Sequence, residues 1–327
     1  MKLSKIVEKR TNKRDALGFL LFVFLLPYVC ACLWGHAGNN TKEILTARKE
    51  YQADAVEAPY WVEVDMDWGT WKLPVEEYLV YRLAEVMQED YEMEALKAQA
   101  VLLRTETVQA LRAQGNDRIR AEDTGLAKFY YEDCQETAEQ YWKAVESTKG
   151  LYLSYQGEPV QASYFKVSNG RTRDAEEVWH TDKCPYLTGV ACEQDRASVE
   201  WSSTVEVDRD SYIERVRQVV GETYTDETIW ENGQFVYDEA GYVVKALYTE
   251  GEETAEIDGE TFRRLWGLCS SSFEAERDER QIIFHVTGVG HGFGMSQYGA
   301  NCRALNGDTY DRILQEFFPG TELVKFE

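Results

Sequence analysis

The segment GVGHGFGMSQYGA at 288–300 places an imidazole, a hydroxyl and an amide, His291, Ser296 and Gln297, in a loop with glycine at 288, 290, 292 and 294. Glycine admits positive φ and lets a ligand approach the backbone. The loop therefore suits a ligand that hydrogen-bonds to these three side chains; the structural alternative is a glycine hairpin in which Ser296 caps the following helix. A His near a Ser also suggests a hydrolase, but no strand–GxSxG–helix context surrounds them. His180, Cys184 and Cys192 follow the spacing H-x3-C-x7-C. Zinc takes four ligands and this stretch offers three, with Cys134 or another His available for the fourth. The alternative is a Cys184–Cys192 disulfide closing a short loop. In SNGRTRDAEEVW at 168–179, Ser168 and Thr172 either line a site or form a turn that satisfies its own backbone. Lys97 and Arg104 share one face of a helix, where a solvated surface is the usual outcome.

These residues need elements to hold them. The stretch 61–71 alternates as a strand or hairpin. Leu73-Pro74 opens a helix with Leu79, Leu83, Val86 and Met87 as its apolar stripe. Further helices are expected over 94–113 and 136–147, the latter ending near Gly150. A hairpin over 151–165 turns at Gln156-Gly157-Glu158-Pro159 and carries Tyr164 at its end. The stretch 196–262 reads as a smaller inserted lobe of short strands with one helix at 210–219. A strand at 281–286 feeds the glycine loop, and helices follow over 295–304 and 310–317. Helices and strands are interspersed without a regular βαβ repeat, so the expected class is α+β.

The 327 residues are 44% hydrophobic and 13% aromatic, which excludes a disordered chain. Net charge is −23, a poor match to nucleic acid or anionic lipid. The charge is uneven. A basic tail over 1–15 precedes residues 16–35, ALGFLLFVFLLPYVCACLWG, which contain no charge. Twenty residues at 1.5 Å each span about 30 Å, a bilayer core. The expectation is an uncleaved single-span anchor, with the N-terminus cytoplasmic by the positive-inside rule and a linker over 36–58. The rival readings are a cleaved signal peptide or a lipoprotein signal at Cys30 or Cys32. Of the seven cysteines, five follow the span, where disulfides can form.

Four segments in order carry a family resemblance: LPVEEYL at 73–79 with EALKAQAVLLRT at 94–105, SNGRTRDAEEVW at 168–179, CPYLTGVAC at 184–192, and GVGHGFGMSQYGA at 288–300 leading to Phe318-Pro319-Gly320-Thr321. Together they resemble the stage II sporulation protein D / amidase enhancer family over about residues 59–324. The resemblance implies a single-span anchor and a destination, the glycan strands of bacterial peptidoglycan. It implies lytic transglycosylase chemistry on strands stripped of stem peptides. There, one glutamate protonates the leaving glycosidic oxygen and the muramic acid 6-hydroxyl closes onto C1 to give a 1,6-anhydro end. One carboxyl suffices and no cofactor is required, because the substrate supplies the nucleophile. A structural zinc at His180, Cys184 and Cys192 is implied for some members. Substrate contacts are implied for Lys97, Gln99, Arg104, Tyr164, Ser168, Thr172, His291, Ser296 and Gln297. The implied partners are a peptidoglycan amidase and a membrane scaffold protein of the sporulation septum.

Two positions depart from the pattern. Counting forward from Leu73 and back from Glu94 both place the family acid at Val86. Valine donates no proton. Either Glu85 or Glu89 takes over, or the chain binds glycan without cutting it by that route and serves as a scaffold for the amidase. One helical step turns a side chain by about 100°, so Glu85 does not simply replace position 86. The second departure is Lys166, where the family carries a histidine.

Overall fold

The computed structural model describes residues 60–326 apart from 67–68, 89, 115–117 and 123–134. The tail, span and linker expected over 1–58 lie outside the described residues, as do Glu89 and Cys134. Among the described residues no helix is long and apolar enough to cross a membrane.

β1 (Trp61–Met66) and β2 (Gly69–Pro74) form the expected hairpin, with Trp61 opposite Pro74. Pro74 ends the strand and precedes α1 (Val75–Val86), a place where a missing backbone donor costs little. Glu76 and Glu77 occupy the first turn of α1, where the helix dipole favours carboxylates. α2 (Met93–Gln114) packs along α1 and leads to β3 (Arg118–Glu122), which joins β1 in parallel. α3 (Gln135–Ser147) precedes β4 (Leu151–Tyr155), and a turn through Gln156 (φ 53) and Gly157 (φ 85) gives β5 (Glu158–Pro159). The expected hairpin over 151–165 closes there. Tyr164 and Phe165 leave it as β6 (Tyr164–Phe165), followed by α4 (Ala175–Trp179).

A second group follows: β7 (Ser202–Asp208), α5 (Arg209–Val220), α6 (Asp226–Glu231), β8 (Gln234–Tyr237), β9 (Val243–Glu250), β10 (Glu253–Asp258), α7 (Gly259–Trp266), β11 (Phe273–Arg277) and β12 (Gln281–Thr287). The chain then returns with β13 (Met295–Ser296), α8 (Gln297–Leu305), α9 (Tyr310–Phe317) and β14 (Glu322–Lys325). The architecture is mixed α and β, without a βαβ repeat, as the sequence implied.

Two apolar cores result. Leu79 and Leu83 of α1, Leu96 and Val101 of α2, Tyr141 of α3 and Phe317 of α9 belong to the first. The second is aromatic: Phe262, Phe273 and Phe284 stack or meet edge-on at 5.2, 5.6 and 5.8 Å between centroids. It takes in β11 and β12, beyond the 196–262 stretch, because β12 pairs antiparallel with β7. It also carries α6 and α7 besides the one helix expected there.

The helix expected over 295–304 begins at Gln297. Met295 and Ser296 instead pair in parallel with Tyr164 and Phe165. That two-residue pairing ties the glycine loop to the end of β6 and sets the site.

Candidate functional site

Ser296 is the N-cap of α8; its Oγ accepts from the Gly299 N–H at 3.1 Å and donates to Asp195 Oδ2 at 2.5 Å. Asp195 lies in a 3₁₀ turn, Glu193–Ala197, and its Oδ2 also accepts the Ser168 N–H at 2.7 Å. Asp195 is fully buried and its Oδ1 finds no hydrogen-bond partner. Burial pushes this carboxyl above its ordinary value, against the pull of Ser296 and Ser168. Asp195 thus fastens the 168–170 turn to the start of α8, a role the sequence reading missed.

The hydroxyls expected to line a groove are spent inside the fold. Ser168 Oγ accepts from the Gly170 N–H at 3.1 Å, a local Ser turn. Thr172 Oγ1 donates to the Thr188 carbonyl at 3.0 Å and accepts from the Val190 N–H at 2.7 Å. Ser168, Thr172 and Ser296 are all buried. In this structure all three hydroxyls make structural bonds within the fold. Gly294 (φ 74) holds the loop against β6: a Cβ there would stand 2.0 Å from the Ser163 carbonyl oxygen.

His291 is half-buried beside Phe165, with ring centroids 5.7 Å apart. Its Nδ1 accepts the Phe293 N–H at 3.1 Å. Burial lowers the imidazole below its ordinary value, while Glu260 and the Tyr164 backbone oppose the shift. With Nδ1 accepting from Phe293 and the ring bonded to the Tyr164 backbone, His291 fastens the glycine loop to β6. Gln297 Nε2 donates to Gln99 Oε1 at 3.2 Å, joining α8 to α2; Gln99 Nε2 is buried without a partner.

Lys97 and Arg104 do not share this side. Two residues along a helix turn a side chain by about 200°, so the Lys97/Arg104 face lies nearly opposite the Gln99 face. Lys97 pairs with Glu94 at 2.6 Å and stands over the Tyr310 ring. Arg104 is buried; its Nε and Nη2 donate to Glu76 Oε1 and Oε2 at 2.9 and 2.6 Å, and further bonds reach the Leu151 and Val145 carbonyls. Arg104, expected at a sugar contact, here clamps α1, α2, α3 and β4 together.

The face of α2 that carries Gln99 carries Glu106 two turns on. Thr105 and Thr107 beside it are buried and donate to the Val101 and Leu103 carbonyls. Glu106 is half-buried. Its neighbours are Tyr78 and Arg82 of α1 and Tyr164 of β6. Burial pushes the Glu106 carboxyl up to about 7, against the attraction of Arg82. Burial also raises the Tyr164 phenol, and Glu106 raises it further. Arg82 is ion-paired with Glu85. Burial acts to lower the guanidinium, but Tyr164, Tyr78, Glu85 and Glu106 together hold it above its ordinary value. Val86, one turn past Arg82, is half-buried and packs on the first core, as its stripe with Leu79 and Leu83 predicts. Glu85 is exposed. The sequence reading passed over Arg82 and Glu106. The available signal was a lone carboxyl in the run AVLLRTETVQAL, in helical phase with Gln99.

Among the described residues neither cysteine arrangement is present. Cys184 and Cys192 are both free thiols. The Tyr186 hydroxyl donates to Cys184 Sγ at 3.8 Å, while Cys192 Sγ donates to the Val190 carbonyl at 3.7 Å. Burial raises the Cys192 thiol. His180 is exposed and ends α4 in the left-handed conformation (φ 50). Among the described residues no three His, Cys, Asp or Glu side chains gather as a metal site. A separate recess beside Thr172 is lined by Arg171, Asp174, Glu176, Glu177 and Glu239, a set dominated by carboxylates.

The site therefore presents one cation, one perturbed carboxyl and two phenols beside a glycine loop with an imidazole. Residues 69–155 match the family model described as SpoIID, stage II sporulation protein. The chain is 31% identical over 269 residues to the stage II sporulation protein D of Bacillus subtilis (strain 168), covering 77% of this chain and 74% of that one. The chain belongs to the stage II sporulation protein D family. The stage II sporulation protein D of Bacillus amyloliquefaciens is 29% identical over 321 residues, 92% of this chain and 90% of that one. The Bacillus subtilis protein named amidase enhancer is 27% identical over 287 residues, 73% of this chain but 39% of its own length. The family-model match runs from β2 through β4 and includes α1, which carries Arg82 and Val86, and α2, which carries Arg104 and Glu106.

Proposed function

We propose that this chain binds the glycan strands of peptidoglycan and takes part in wall remodelling during sporulation, held at the membrane by residues 16–35 with its bulk outside the cytoplasm. The observation that carries this reading is the likeness to stage II sporulation protein D along most of both chains. The site supports it: Arg82 suits the lactyl carboxylate of muramic acid, and the half-buried Tyr164 phenol offers a ring edge and a hydroxyl to a sugar. A peptidoglycan amidase is the partner that the relative's name, amidase enhancer, suggests. A membrane scaffold protein at the sporulation septum would place the two together.

A second reading has its own observation. Val86 stands at the family's acid position, which favours a glycan-holding scaffold that stimulates the amidase without cutting strands itself. Co-sedimentation of the full chain with insoluble peptidoglycan, before and after amidase removes the stem peptides, tests the shared core of both readings. Retention that rises on denuded strands supports glycan binding. No retention on either material contradicts it.

A further inference from the structure

Two helices converge on one guanidinium. On α1, position 86 lies one turn beyond Arg82, so a carboxyl there would lie on nearly the same helix face as Arg82. Valine occupies it and packs inward. On α2, Glu106 approaches Arg82 from the packed neighbouring helix. It lies on the Gln99 face, which Gln297 of the glycine-loop helix touches at 3.2 Å, and it faces Tyr164, whose strand pairs with Met295. The carboxyl is therefore placed where α1, α2 and β6 meet.

We propose that Glu106 is the proton donor of this site and performs the acid role that valine at 86 cannot, an inference that rests on the glycan reading above. The competing carboxyl fits less well: Glu85 is exposed and committed to Arg82. Glu106 has no hydrogen bond or ion pair among the described residues. Its burial, opposed by Arg82, keeps a protonated fraction near neutral pH, where a general acid works best. The charged and titratable groups facing it are Arg82 and Tyr78 of α1 and Tyr164 of β6, with Glu85 paired to Arg82 behind them. Arg82 and Tyr164 are positioning residues here.

The step is balanced within the substrate. The Glu106 proton passes to the glycosidic oxygen as the bond from C1 of muramic acid breaks. The 6-hydroxyl oxygen of the same sugar bonds to C1, and its proton goes to the Glu106 carboxylate. One C–O bond breaks and one forms, no water is consumed, and the acid is regenerated.

The test incubates the full chain with denuded glycan strands from about pH 5 to pH 9, with products read by mass spectrometry and strand retention read by sedimentation. The wild type is expected to form 1,6-anhydro ends, with kcat/KM falling as pH rises through about 7, because the acid must be protonated. Glu106→Gln, nearly isosteric and checked for folding by its melting curve, should lower the rate by about 10²–10⁴-fold while retaining strands. Glu85→Gln should stay active with its falling limb moved to lower pH, because Arg82 then acts on Glu106 alone. The wild-type pH limb needs no variant and guards against a folding artefact. Strands bound but never cut at any pH, or Glu106→Gln as active as wild type, would overturn the proposal and leave the glycan reading standing. Loss of all activity in Glu85→Gln with an active Glu106→Gln would move the acid to Glu85. If the wild type retains no strands, the glycan reading fails and the proposal falls with it.

Discussion

Arg104 and Glu76 form a two-pronged ion pair inside the first core, with Nε–Oε1 at 2.9 Å and Nη2–Oε2 at 2.6 Å. Glu76 Oε1 also accepts the Gly150 N–H at 3.1 Å, so one carboxylate serves α1, α2 and the turn before β4. Removing one partner of a buried pair leaves the other charge unpaired, at about 3–5 kcal/mol. Arg104→Met should therefore lower the melting temperature sharply, yet retain glycan strands wherever it is folded. A variant that melts like wild type but releases the strands would return Arg104 to the groove.

Asp195 and Ser296 make a second prediction. Both bonds to Asp195 end on Oδ2, while Oδ1 has no partner and burial favours the neutral carboxyl. Asparagine can keep both acceptor bonds with its amide oxygen. Asp195→Asn should thus cost less than Ser296→Ala, which removes the N-cap of α8 and leaves Asp195 short of a donor, about 1–3 kcal/mol. Urea unfolding of the two variants decides; the reverse order contradicts this account of the loop anchor.

What the sequence revealed follows what is local. The apolar phase of 310–317 gave a helix with the observed bounds, and Ser296 capping was already the structural alternative for the glycine loop. Arg104 looked like a surface residue because its partner, Glu76, is 28 residues away and on another helix. The hairpin over 151–165 was overextended because β6 pairs with β13, more than a hundred residues later, through only two residues. Glu106 was passed over for the same reason. In TETV it reads as a solvated helix residue, and only packing against α1 and Tyr164 changes its chemistry.

That packing predicts a pH-dependent stability. The Glu106 carboxyl titrates near 7 in the fold, above its ordinary 4.5. The folded state then binds the proton more tightly than the unfolded state. The favourable contribution is fully present below about 4.5 and is lost as pH rises through about 7. Glu106→Gln removes this penalty. It should be more stable than wild type at about pH 8, by on the order of 2 kcal/mol, and indistinguishable at about pH 4. Thermal melts at the two pH values check the sign. An equal effect at both would mean that Glu106 titrates as an ordinary surface carboxylate.

The most direct test of the account is a crystal structure of the chain with a short denuded glycan oligosaccharide of alternating N-acetylglucosamine and N-acetylmuramic acid, using Glu106→Gln to hold the substrate intact. The account predicts the sugars between Arg82, Tyr164 and the glycine loop. It also predicts the substituted amide at position 106 within about 2.6–3.2 Å of the glycosidic oxygen and Arg82 on the lactyl carboxylate. Sugars seated in the acidic recess beside Thr172, or Glu85 reaching that oxygen while residue 106 stands apart, would contradict it.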